Sequence, residues 1–559
     1  MESPRMARAT IVMTARERHS LAATALESIV KHTARPYRLM YVDCASPEWL
    51  RDVLDARAAE WGLDVVRFDQ PLWPQQARHR VIDRIASDYT VFIDNDVLVE
   101  PGWLEALVAC ADETGAGIVA PLYLWGDGIR PPKVHMAGGK IVESIVPDGR
   151  VLEELHQFAD VDPRSVQLQR VPCDFAEYHC MLIRTSLLRE YGVLDPAIRC
   201  VHEHIDIALE VRSRHHPVYI EPAARVTYLA SAECKLTELK FWRERWAPAE
   251  ANASIAAFCR KWGVVDDERS FGGVRRFVRD HVAMVDPVRA EARAGPDTPM
   301  QKQEHRETRS GLMDLALERG YREAELATLA SSYRIAQALV DGGYRPCGRP
   351  FIDHLVGTAS VLVRYGFQAD VVAAGLLHAA YTHAPRGVGS RAAEAIGEIL
   401  GGRDSALETR VRAYTQREST HGDAPSIELA RASLLDAEVV AMVAANEIDL
   451  HLSGELRYSG RTDIVGPTRL DEIRQVCSIL GVSGMFETLR QARANLEPVP
   501  PALMTRAPAS YRIGADRRSL IPMGNNVLRA AVSVPHLSAR STGHFRMSPL
   551  DAGLNRNDR

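Results

Sequence analysis

The sequence predicts an α/β domain over residues 1–283 and an all-helical domain over 305–497. Three observations carry this. Short apolar runs alternate with amphipathic stretches over roughly the first 270 residues, as strands and helices do in α/β proteins. A charged segment, 284–304, contains Pro287, Pro296, Pro299 and Gly295 and reads as a linker. Beyond it the chain is rich in Ala and Leu with apolar spacing of three and four, the helical period.

In chain order, Thr10–Thr14 reads as a strand, Ser20–Lys31 as a helix, Arg38–Val42 as a strand and Pro47–Trp61 as a helix. Leu63–Phe68 follows as a strand, Gln75–Ala86 as a helix and Tyr89–Ile93 as a strand. Fully apolar runs such as YTVFI suit central strands buried on both faces. Later, Cys180–Ile183 and Pro217–Glu221 read as strands and Ser186–Tyr191 as a helix. In the second domain Ala324–Val340, Phe351–Arg364 and Asp370–Tyr381 read as helices. From residue 498 to 559 Pro, Ser, Arg and Gly increase and periodicity fades, so an extended or partly disordered tail is expected.

Hydrophobic residues make up 46% of the 559, charged residues 25%, and the formal net charge is −5. That balance speaks against bulk electrostatic capture of nucleic acid. Nine cysteines are widely scattered without a CxxC pair. They fit reduced thiols rather than a disulfide framework or structural zinc site. No apolar run reaches the ~20 residues that span a bilayer, and Met1–Arg18 lacks the apolar core of a signal peptide. A cytoplasmic protein is expected.

The segment Tyr89–Pro101, YTVFIDNDVLVEP, delivers two carboxylates, Asp94 and Asp96, where an apolar strand leaves the sheet. Open α/β sheets bind ligands at the carboxyl ends of their strands. Two like charges there suit a divalent cation, Mn²⁺ or Mg²⁺, shared with substrate phosphates. The competing reading is a polar turn.

Around this motif the sequence resembles the GT-A fold glycosyltransferases of family 2. Thr14-Ala15-Arg16-Glu17-Arg18 looks like the family's first nucleotide-contacting loop. Val42-Asp43-Cys44-Ala45-Ser46 is similar to its V-D-D-G-S segment, with Cys44 and Ala45 in place of Asp-Gly. Gln76-Ala77-Arg78-His79 resembles its A-R-N segment, and Val134–Gly139 (VHMAGG) also has a family look. Val201-His202-Glu203-His204-Ile205-Asp206 resembles the E-D-x-D-L-x-x-R segment, with His204 where the second acid is expected. The resemblance covers roughly residues 8–265. It implies a three-layer α/β/α domain moving a sugar from a nucleoside diphosphate, most plainly UDP-linked, to an acceptor nucleophile with inversion. Asp94 and Asp96 would hold the metal. Thr14, Glu17, Asp43, Arg78, Asp94 and Asn95 would bind the donor. Glu203 or His204 would remove the acceptor proton, with Asp206 one helical turn along. His135, Asp174, Glu177 and His179 are expected near the acceptor. Many relatives place a histidine near the position of Tyr228 as a further ligand; none stands there in this sequence.

In the helical domain, Arg349–Leu355 and Ala373–Tyr381 resemble the HD-domain phosphohydrolases, which carry H…HD…D around a metal. His354 and His378 match the histidines, but Ala379 replaces the decisive Asp, and Asp449 or Glu447 is the candidate final acid. His383 and His421 are further candidates to complete such a site. The resemblance implies a degenerate, non-hydrolytic domain that binds acceptor or a partner or mediates homo-oligomer assembly. The rival readings are a metal-dependent phosphohydrolase and a non-catalytic sugar-nucleotide scaffold.

Overall fold

Four of the expected strands line up in parallel in the computed structural model. They are β1 (Ala9–Thr14), β2 (Arg38–Cys44), β3 (Leu63–Phe68) and β4 (Tyr89–Asp94), in the spatial order β3-β2-β1-β4. β1 and β4 are buried along their whole length. Val91, Phe92 and Ile93 have no exposed surface, and each such side chain stabilises by about 1.5–3 kcal/mol. Helices α1 (Ala22–His32), α2 (Glu48–Trp61) and α3 (Pro74–Val81) connect these strands. α3 stops at Val81 and continues as a 3₁₀ turn, Ile82–Arg84, short of the Ala86 end that periodicity predicts.

The structure describes residues 7–522 except 16, 127–130, 193, 230–233, 290–296, 384–396, 403–404, 420–427, 430, 460–465, 497–498, 501–509 and 514–519. Arg16, His421 and nearly all of the tail therefore lie outside the described residues. The chain divides into two units, Met1–Val285 and Asp286–Arg559.

Beyond β4 the sheet becomes mixed. β5 (Val97–Val99) follows the Asp94–Asp96 turn and leads to α4 (Trp103–Thr114), β6 (Ile118–Trp125) and β7 (Lys133–Met136). β8 (Gly139–Val146) and β9 (Gly149–His156) form a separate hairpin, and β10 (Val171–Cys173) lies at the sheet edge. β11 (Cys180–Arg184) runs antiparallel between β4 and β6, with Cys180 opposite Ile93. α5 (Thr185–Tyr191) and α6 (Glu203–Ser213) follow. β12 is one strand, Val218–Tyr228, where the sequence suggested a strand ending at Glu221. Its register slips between Glu221 and Arg225, and the bent second half pairs with β5, placing Tyr228 opposite Val97. α7 (Leu239–Arg245), α8 (Pro248–Trp262) and α9 (Glu268–Val285) close the unit.

The second unit is helical, as expected, with one small sheet of three short strands. It contains α10 (Arg309–Glu318), α11 (Glu323–Val340), α12 (Phe351–Arg364), α13 (Ala369–Leu377) and α14 (Ala380–His383), then longer helices at Ala406–Ser419, Leu434–Leu452, Pro467–Leu480 and Ser483–Ala494. The single helix expected over Asp370–Tyr381 breaks at His378–Ala379, where His378 Nδ1 sits 2.7 Å from the Gly375 carbonyl oxygen. The segment expected as a linker is packed at both flanks. Asp286, Val288 and Met300 are buried, and the Met300 amide donates to Thr488 Oγ1 at 2.7 Å. No helix among the described residues is long and apolar enough to cross a membrane.

Candidate functional site

β4 carries Asp94 to the end of the sheet, level with Thr14 on β1. Asp94, Asn95 and Asp96 are all buried, at 1%, 1% and 6% exposure, so the two carboxylate charges need compensation. It comes from three cationic side chains, Arg78 on α3, Arg18 in the loop after β1 and His179 just before β11. Arg78 Nη2 lies 3.3 Å from Asp94 Oδ1, and His179 Nδ1 lies 3.2 Å from Asp94 Oδ2. Arg18 Nη1 lies 3.4 Å from Asp96 Oδ2. Asn95 uses its amide to fix the loop after β1, donating to the carbonyls of Glu17 at 2.8 Å and Arg18 at 3.1 Å. The motif thus holds the loop after β1 as well as presenting two carboxylates.

Asp94, Asp96 and His179 place one ligand atom each within 4.8 Å of one another. Two hard oxygens and one imidazole suit Mn²⁺ or Mg²⁺, the nitrogen favouring manganese. The Thr14 hydroxyl, buried beside this end of the sheet, has no hydrogen-bond partner among the described residues. The residues fit a divalent cation. His179 also answers the missing histidine near Tyr228. It arrives from the start of β11 instead and stacks on Tyr228, ring centroids 4.2 Å apart and planes 22° apart.

Arg78 is fully buried with its guanidinium 3.6 Å from the Tyr178 ring centroid, and Nη1 lies 4.0 Å from Glu203 Oε1. It links the carboxylate pair to the first turn of α6. Asp43, at the end of β2, accepts from the Ser46 amide at 2.9 Å and faces Arg67 Nε at 3.3 Å. Glu17 Oε2 lies 3.9 Å from Arg245 Nε.

The three α6 residues separate. Glu203 faces Arg78. Asp206 is instead taken by Lys261 Nζ and the Trp262 indole N–H, both 2.7 Å from its Oδ1. Those contacts make it a brace between α6 and α8. His204 Nε2 lies 3.1 Å from Glu154 Oε1 on β9. Burial alone would lower His204; the charge and hydrogen bond of Glu154, with Glu177 and Glu203, outweigh it and raise its pKa.

Three of the four residues expected at the acceptor side come together. His135 Nε2 is 2.8 Å and His179 Nε2 3.8 Å from Glu177 Oε2. Asp174 does not join them. It accepts from the Ile141 amide at 3.0 Å and pairs with Arg212 at 3.0 Å, because it anchors the hairpin base. Two further members were not singled out from sequence. His156 Nε2 is 3.4 Å from Glu177 Oε1 and 2.9 Å from Glu154 Oε1. Burial would raise Glu177, but the imidazoles of His135, His156 and His179 outweigh it and hold its carboxyl well below the usual range. Both Glu154 and His156 ride on β9, and Pro147-Asp148, followed by Gly149, was the turn signal for that hairpin.

In the helical unit His354 and Asp449 meet, Nδ1 to Oδ2 at 2.6 Å, with His305 Nε2 2.9 Å from Asp449 Oδ1. His378 stands beside His354, ring centroids 5.1 Å apart. Arg349 takes both oxygens of Asp449, each at 2.9 Å. Burial depresses His378 to about 4, and it lowers His354 as well. α12 approaches closely at Gly357, where an added Cβ would lie 1.7 Å from Asp449 Oδ1.

Residues 10–192, which contain the Asp94–Asp96 turn and His179, match the family model described as glycosyl transferase family 2. The match stops short of α6, so Glu203 and His204 lie beyond the matched segment. No curated protein matches the chain. Among solved structures, GalNAc-T7 with UDP, GalNAc and Mn²⁺ is 17% identical at TM-score 0.35, over 50% of this chain and 55% of that one. TarS of S. aureus is 12% identical at TM-score 0.30, over 65% of this chain and 52% of that one. TarS 1–349 in complex with UDP-GlcNAc is 12% identical at TM-score 0.29, covering 67% and 90%. The chain thus matches about half the length of the first two.

Proposed function

We propose that the N-terminal domain transfers a sugar from a nucleoside diphosphate, UDP-linked by family resemblance, to an acceptor nucleophile with inversion. The observation that carries this is the buried Asp94-Asn95-Asp96 turn at the end of β4, within a family-matched segment and beside His179. Asp94, Asp96 and His179 would hold Mn²⁺ or Mg²⁺, which supplies charge neutralisation for the departing nucleoside diphosphate. Arg18 and Arg78 add fixed positive charge on the same side, and the loop pinned by Asn95 positions the nucleotide. Asp43, Thr14 and Glu17 complete the donor side. On the acceptor side, Glu203 takes the proton from the incoming nucleophile. His204, whose pKa the Glu154 carboxylate raises, is better suited to hold a proton and orient the acceptor.

The helical domain reads as HD-like and non-hydrolytic. Ala379 follows His378, and the Arg349 guanidinium covers both oxygens of Asp449, where a hydrolytic metal would need them.

The test is calorimetry of UDP and a panel of UDP-sugars with and without Mn²⁺. Metal-dependent binding to the intact chain, lost in Asp94→Ala and Asp96→Ala, is expected. Equal binding by wild type and both variants would sink the proposal.

A further inference from the structure

The acceptor-side cluster holds more imidazole than sugar transfer asks of it. Four histidines and two glutamates, His135, His156, His179, His204, Glu154 and Glu177, form one continuous string. They come from β7, β9, the segment entering β11 and α6. All six side chains are part-exposed, between 12% and 27%, so a small ion can reach them.

We propose that His135, Glu177 and His179 form a second cation site, for a borderline transition metal of the zinc class, beside the Asp94–Asp96 pair. One ligand atom from each lies within 4.8 Å of the others. Tetrahedral coordination with metal–ligand bonds of about 2.0–2.1 Å puts ligand atoms roughly 3.3 Å apart. The separations from Glu177 Oε2, 2.8 Å to His135 and 3.8 Å to His179, bracket that value. The His135 and His179 nitrogens lie within 4.8 Å of each other, so a side-chain adjustment of about 1.5 Å or less closes the site.

The donor set selects the ion. Imidazole nitrogens with one carboxylate suit Zn²⁺ and Co²⁺, whereas Mg²⁺ prefers oxygen ligands alone. The support around the ligands is built as metal sites need. Tyr123, fully buried, accepts from the Glu177 amide at 3.0 Å and lies 2.8 Å from the Cys180 carbonyl oxygen, fixing the backbone on both sides of His179. Tyr228 stacks on the His179 ring. His156 holds the other oxygen of Glu177 at 3.4 Å, and Glu154, Glu177 and His204 make an overlapping triad. His179 turns Nδ1 to Asp94 and Nε2 to Glu177, so one ring separates the two sites.

This site stands whether or not the domain transfers sugar. The experiment is a Co²⁺ titration of the chelator-treated full chain, read by visible d–d absorption. Wild type should show the intense spectrum of a nitrogen-ligated, low-coordinate ion, and Asp96→Asn should keep it. His135→Ala and Glu177→Gln should weaken Co²⁺ binding on the order of 10–100-fold or more, the range seen on disturbing a metal site, with circular dichroism unchanged. Mn²⁺-dependent UDP binding should follow the opposite pattern, lost in Asp96→Asn and kept in His135→Ala. No nitrogen-ligated spectrum in wild type, its loss in Asp96→Asn, or its persistence in both His135→Ala and Glu177→Gln overturns the proposal. Asp96→Asn leaves the proposed ligands intact, so the proposal stays testable if the other variants misfold.

Discussion

Arg78→Met tests how far the carboxylate site depends on one guanidinium. The side chain is completely buried, and it sits 3.3 Å from Asp94, 4.0 Å from Glu203 and 3.6 Å from the Tyr178 ring centroid. Methionine keeps much of the volume but removes the charge. Removing one partner from a buried ion pair costs about 3–5 kcal/mol, because the remaining charge is left in a low dielectric. The lost cation–π contact is worth up to about 2 kcal/mol when desolvated. The two overlap, since one group makes both, and His179 still serves Asp94. About 3–5 kcal/mol is therefore the expected total. In a unit of this size each kcal/mol moves Tm by about 2–4 °C, so the midpoint should fall by about 6–20 °C. The assay is tryptophan fluorescence. All eight tryptophans lie between residues 49 and 262, so the signal reports the first unit alone. Arg78→Lys keeps the charge but not the planar fork and should fall between wild type and Arg78→Met. A methionine variant within about 1 kcal/mol of wild type would refute the reasoning.

Three further outcomes follow from particular contacts. Asn95→Ala should cost about 2–3 kcal/mol, two net hydrogen bonds plus poorly satisfied carbonyls, and weaken nucleotide binding in calorimetry; unchanged fluorescence melting and affinity would count against the loop-fixing role. Gly357→Ala should destabilise the helical unit by about 1–3 kcal/mol, the cost of overpacking, seen in scanning calorimetry while the tryptophan transition stays put. His202 lies against Phe258 and Phe271, and burial depresses its pKa to about 4. Its folded pKa lies below the unfolded value near 6.5. The stability carried by the neutral ring is therefore complete above about pH 6.5 and is lost as pH falls through about 4, on the order of 3 kcal/mol. His202→Asn, which tolerates the left-handed φ of 61° at this position, should flatten urea-melt stability against pH over that window; parallel profiles would contradict it.

The parallel half of the sheet was legible because its signal is local. The runs TIVMT, RLMYV and YTVFI each carry their own burial pattern, and the Asp94–Asp96 turn follows the last directly. What stayed hidden depends on pairings between distant segments. His179 reaches Asp94, 85 residues earlier, through the antiparallel β11–β4 register, and no spacing rule encodes that. Glu154 and His156 sit on a hairpin whose apolar residues are split between exposed Val142 and Ile145 and buried Val151 and Leu152, with charged residues among them, so no apolar run marked it. Asp206 looked like a partner of Glu203 by helical spacing, but Lys261 and Trp262, more than fifty residues on, claim it. In the helical unit the His354–Asp449 contact was foreshadowed by motif order, while Arg349 as the group covering Asp449 was not.

The antiparallel entry of β11 makes the edge of the sheet beside Asp94 a meeting point of one strand's exit and another's entrance. The exit of β4 brings Asp94 and the entrance of β11 brings His179, so a carboxylate and an imidazole meet from opposed chain directions. Of the described strands in the segment from Gly139 to Tyr178, β8 and β9 pair with each other and β10 joins the main sheet at the β12 edge. None of these strands pairs with β1, β2 or β4, whose register is set among themselves and, on the far side of β4, by β11.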